Sequence, residues 1–99
     1  MQILISQPMK GKTKEQIQAE RLEVVNQLTK AGHTIIDSVF DFKDIDGIKN
    51  TPLYHLAKSL ELIATHADAV FFMKGWQSAR GCRIEHQCCF EYGITTLCE

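Results

Sequence analysis

Four short apolar runs, QILIS, HTIIDSVF, ADAVFFM and ITTLC, alternate with three segments whose apolar residues recur at helical spacing. That alternation is the strongest constraint on the fold. Strands separated by helices pair in parallel through right-handed crossovers. The first run predicts a strand over Gln2 to Ser6, ended by Pro8. Thr13 has the character of a helix N-cap, with Gln16 placed to complete a capping box. Ile17, Val24, Leu28 and Ala31 form the stripe of that helix, and Gly32 closes it. The β-branched run from His33 to Phe40 predicts the second strand. The polar stretch Asp41 to Asn50 reads as a loop. Thr51 and Pro52 read as the N-cap and first position of a second helix, with Leu53, Leu56, Ala57, Leu60 and Ile63 inward. ADAVFFM is apolar almost throughout, as a strand buried on both faces should be. A third helix is expected over Gly81 to Tyr92, closed by Gly93, and ITTLC supplies the last strand.

The expected fold is a single α/β domain over residues 1–99: a flavodoxin- or Rossmann-like three-layer sandwich with a four-stranded parallel sheet in the order 2-1-3-4. In such a sheet the chain reverses direction between strands one and three. Ligands bind beyond the C-terminal strand ends at that point. The loops SQPMKG and KGWQSARG meet there.

With 99 residues, a net charge of −1 and a pI near 6.4, the chain lacks the basic excess of a nucleic-acid binder. No apolar run approaches the roughly 18 residues needed to span a membrane. The N-terminus MQILISQPMKGK does not read as a signal peptide, so a cytoplasmic location is expected. Cys82, Cys88, Cys89 and Cys98 form no CxxC pair, and read as small apolar residues in a reducing compartment. Cys82, His86 and Cys89 share helical spacing, but a structural zinc site needs four ligands, so no metal is expected.

The stretch KGWQSARGCRIEHQCCFEYGI carries the chemistry. Glu85 is expected in the first helical turn, where free N–H groups favour an ionised carboxylate. That placement is common and mildly stabilising. It also suits a carboxylate that attacks an anomeric carbon or stabilises an oxocarbenium ion. Asp68 opens the third strand; it reads as a solvated residue at the edge opposite the cleft, or as a second acid. The candidate ligand contacts are Ser6, Gln7, Pro8 and Met9 on one loop and Trp76, Ser78, Arg80 and Gly81 on the other. Arg80 and Arg83 are either solvated or placed to hold a phosphate beside the helix N-terminus. Trp76 either stacks on a base or covers the core. Phe90 and Tyr92 read as core residues. His33, His55 and His66 have no evident partner, and His86 is expected to point away from Glu85.

These motifs, ILISQPMKGK, AD-x-V-F and GW-x-x-ARGCRIE followed by YGI, resemble the nucleoside 2-deoxyribosyltransferase-like superfamily, in particular its short phage and bacterial members. The resemblance spans nearly the whole chain. It implies a flavodoxin-like domain, working as a homo-oligomer, that cleaves the N-glycosidic bond of a deoxynucleoside or its 5′-monophosphate without a cofactor. It implies Glu85 as nucleophile at C1′, Asp68 assisting near the base, and Ser6 to Met9 along the sugar or phosphate. Gln7 stands where the family often has glycine, and Ala79 where it often has serine. MKGWQSARG lacks the further acid that helps to protonate the leaving base, a contribution of about 10²–10⁴-fold. Two alternatives accompany this expectation: a nucleotide-binding or sensing module without turnover, and a TIR-like NAD glycohydrolase relative.

Overall fold

A computed structural model describes residues 1–37 and 46–99. The elements run β1 (Gln2–Ser6), α1 (Lys14–Lys30), β2 (Thr34–Ile35), α2 (Thr51–His66), β3 (Ala69–Phe72), a 3₁₀ turn (Trp76–Ser78), α3 (Arg80–Glu91) and β4 (Thr95–Cys98). The four strands form one parallel sheet in the order β2-β1-β3-β4, the flavodoxin/Rossmann-like arrangement expected from the alternation. β1 and β3 are the central strands, paired from Ile3↔Ala69 to Ser6↔Phe72.

Two apolar clusters flank the sheet. Ile3, Ile5, Ala69 and Met73 pack against Val24 and Leu28 of α1. On the other face, Leu4, Val70 and Phe72 pack against Ile63 of α2 and Cys89 of α3. The period of two along each strand sorts its residues between these clusters.

The local signals explain the element ends. The Thr13 side chain accepts from the Gln16 amide at 3.1 Å, and the Gln16 side chain accepts from the Thr13 amide at 2.9 Å. At the far end Gly32 takes φ 94°, a conformation costly for any residue with a Cβ. The amides of Gly32 and His33 then bond back to Thr29 and Leu28, a Schellman closure.

Several boundaries differ from expectation. The β2 ladder comprises Thr34–Ile35; residues 38–40 of the expected strand and 41–45 of the expected loop lie outside the described residues. The α2 N-cap is Asn50, not Thr51, because the Asn50 side chain accepts from Leu53 N–H at 3.0 Å. Leu53 is 59% exposed, and the half-buried Leu56 and Leu60 with buried Ile63 form the inward stripe. Phe90 and Tyr92 are not core residues: they are 76% and 81% exposed. No helix among the described residues is long and apolar enough to cross a membrane.

Candidate active site

Ser6 ends β1 at the C-terminal edge of the sheet. By alternation it follows Leu4 onto the face covered by α3. There its hydroxyl donates to Glu85 Oε1 at 3.4 Å, across 79 residues of sequence. Both partners are enclosed: Ser6 is 2% exposed and Glu85 8%.

Glu85 is not in the first turn of its helix. α3 begins at Arg80, one residue earlier than the glycine suggested, so Glu85 is the sixth helical residue and has its own backbone partner. The helix N-terminus therefore does not hold it ionised. Burial instead pushes its carboxyl up from 4.5 to about 7, opposed by the Ser6 hydrogen bond. This corrects the expectation of a permanently charged carboxylate: near neutrality Glu85 exchanges its proton. Its second oxygen, Oε2, accepts no hydrogen bond among the described residues. Cys82, one turn earlier, is 4% exposed, and burial raises its thiol.

Gln7 is not brought to Glu85. The same alternation turns it to the α1 side, where Nε2 donates to the Ile17 carbonyl at 2.8 Å. Its Oε1 is enclosed without a partner among the described residues. Pro8 is buried and meets the loop after β3: a Cβ built on Gly75 would lie 3.9 Å from Pro8 Cγ. Gly75 itself takes φ 90°. Met9 is 55% exposed on the rim.

The loop after β3 is held by three mutually packed rings. Trp76 lies 4.2 Å from His86 with an interplanar angle of 18°. Phe72 meets the edge of His86 at 4.9 Å and tilts against Trp76 at 5.3 Å. One face of Trp76 is thus occupied by His86, the residue next to Glu85, which sequence reasoning had set aside. An aromatic at the end of β3 and a histidine in the second turn of α3 were the signals available. Ser78 and Arg80 are exposed, and Gly81 is the second residue of α3. Ala79 caps α3 without a side-chain bond, leaving its first amides open. Arg83 donates to the Gln77 carbonyl at 3.2 Å.

The family model titled "Domain of unknown function (DUF4406)" matches residues 1–97. The chain belongs to the DUF4406 family. Neither the curated proteins nor the solved structures contain a match.

In this DUF4406 domain Asp68 is far from Glu85. It precedes Ala69, whereas Ser6 is level with Phe72, so the two acids are separated by roughly 13 Å along the strands. Asp68 instead exchanges bonds with Gln2: its Oδ2 accepts at 2.7 Å and its amide donates at 2.8 Å. The structure gives it a ladder-end role and no place beside the nucleophile candidate. A concavity of about 280 Å³, lined by Lys12, Glu20, Glu23, Met73, Lys74 and Glu99, opens at the C-terminal end on the α1 side. Glu85 lies on the opposite face. Among the described residues no three His, Cys, Asp or Glu side chains converge as metal ligands.

The thiols are free and divide by position. Cys82 and Cys89 are buried, Cys88 is half-buried, and Cys98 is exposed, unlike the uniformly buried set expected. His33 Nδ1 meets the N-terminal amine at 3.3 Å and His66 Nδ1 meets Thr65 Oγ1 at 2.6 Å, so both have partners.

Proposed function

We propose that this DUF4406 domain binds a nucleoside or its 5′-monophosphate and cleaves or transfers the N-glycosidic bond, with Glu85 as nucleophile. The observation that carries the reading is the burial of the ionisable Glu85 carboxyl at the C-terminal end of the sheet. A buried carboxylate weakens the fold unless something offsets its desolvation, so such groups concentrate where chemistry needs them. Its place beside the reversal between β1 and β3 is where open parallel sheets hold ligands.

In this reading the ionised Glu85 attacks C1′ through Oε2. The C1′–N bond breaks, and the leaving base takes a proton from solvent. Water or a second base then attacks C1′ and releases the carboxylate, giving net retention. Only the ionised form attacks, so turnover rises with pH through about 7.

One observation favours a second reading, a nucleotide-binding module without turnover. Among the described residues, the Glu85 carboxyl is perturbed by burial and Ser6, and no second acid acts on it. The two readings separate when each deoxynucleoside, each 5′-monophosphate and NAD is incubated with the protein and with Glu85→Ala. Free base that disappears in Glu85→Ala supports glycosyl cleavage. No base from any of them, with a raised melting temperature in one, leaves the binding module.

A further inference from the structure

We propose that His86 is the proton donor to the leaving base, the role that Asp68, at the other end of β3, is too far from Glu85 to fill. The inference rests on the glycosyl-transfer reading above and deepens it: His86 takes the place of solvent in protonating the base.

The placement follows from sheet register. Ser6 on β1 and Phe72 on β3 are register partners, and neighbouring strands lie about 4.8 Å apart. Both side chains reach the face of the sheet covered by α3. Consecutive residues of α3 meet them there. Glu85 accepts from the Ser6 hydroxyl at 3.4 Å, and the His86 ring packs on Phe72 with centroids 4.9 Å apart. The carboxyl and the imidazole therefore stand side by side over one strand pair, at the C-terminal end of the sheet. Trp76, stacked on the imidazole at 4.2 Å and 18°, fixes the plane of the ring. The ring is held by aromatic contacts, and neither of its nitrogens has a hydrogen-bond partner among the described residues. That leaves its N–H for a ligand.

Imidazole is the side chain suited to give up and regain a proton near neutrality. In the first step Glu85 Oε2 forms a bond to C1′, the electron pair of the C1′–N bond passes to the base, and the protonated His86 gives its N–H proton to a base nitrogen. In the second step water attacks C1′ and loses a proton to the neutral imidazole. The C1′–O bond to Glu85 breaks, and both side chains return to their starting forms.

The test compares leaving groups. An ordinary base needs a proton to leave, whereas the cationic base of an N7-methylated purine deoxynucleoside leaves without one. Base released in the first turnover is measured from both kinds of substrate, with the unaltered protein, His86→Gln and His86→Ala. With ordinary deoxynucleosides His86→Gln should slow release by about 10²–10⁴-fold. With the N7-methylated substrate only the Glu85 requirement remains, and the rate should hardly change. Free imidazole should restore release of ordinary bases in His86→Ala.

Equal loss with both kinds of substrate, or loss with neither, would overturn the acid and leave glycosyl transfer standing. An unaltered protein that releases the methylated base alone would also overturn it. Release from no substrate would overturn the acid and the glycosyl-transfer reading together. Amide spectra identify a variant that has lost its fold. Where His86→Gln has done so, imidazole with His86→Ala decides, and no rescue counts against the acid.

Discussion

Replacing Glu85 by glutamine should make the protein more stable at alkaline pH, and the size of the effect can be worked out. The folded chain holds the Glu85 carboxyl near 7, against 4.5 in an unfolded chain. Between those values the unfolded state releases its proton first, so the unfolded form gains as pH rises. The stability lent by the neutral carboxyl is complete below 4.5 and is lost as pH climbs through about 7. A difference of about 2.5 pH units at about 1.36 kcal/mol each amounts to about 3 kcal/mol. Glutamine keeps the volume and still accepts from Ser6, but has nothing to ionise. Urea unfolding of both proteins from pH 4 to pH 9 should therefore give curves that nearly coincide at pH 4, diverge from about pH 5 and reach their full separation above about pH 7. At pH 8 the glutamine variant should lead by about 3 kcal/mol, a midpoint shift of about 1–3 M urea. Every other titrating group is common to both, so the difference isolates Glu85. Parallel curves across the range would refute the claim that burial lifts this carboxyl, and with it the view of Glu85 as a costly group kept for its chemistry.

Two other consequences are simpler to check. Asn50→Ala should destabilise the protein by about 1 kcal/mol in chemical unfolding, whereas Thr51→Ala should cost a few tenths, because Asn50 supplies the cap. Reaction with an aromatic disulfide reagent should be fastest at the exposed Cys98 and slowest at Cys89, which is 0% exposed and whose thiol is pushed up to about 11 by burial.

The topology was legible because alternation leaves a short parallel sheet few arrangements, and the caps at Thr13, Gly32 and Gly93 carry their own signatures. The vicinity of Glu85 was legible from the same topology. Its environment was not. Ala79 gives no side-chain signal for a helix start, and α3 begins at Arg80, but even counted from Gly81 Glu85 is the fifth residue and lies past the first turn. Counting helical positions excludes the helix-dipole site, whereas the desolvation comes from the packing of α3 against the sheet. Gln7 was misplaced for a reason the strand itself supplies: neighbours on a strand face opposite ways, so Ser6 and Gln7 cannot both reach Glu85. Asp68 resembled a second acid by motif, yet parallel register places it at the other end of β3. The Trp76–His86 stack joins a turn to a helix across ten positions, and no periodicity predicts it.

The central claim is that Glu85 forms a covalent bond to C1′, and trapping that bond tests it most directly. The protein would be mixed with deoxynucleoside or 5′-monophosphate, quenched in acid within a turnover, and mapped by peptide mass. One deoxyribosyl group added at Glu85, absent in Glu85→Gln, is the predicted result. Base released with no adduct, or with the sugar on another residue, would contradict the account.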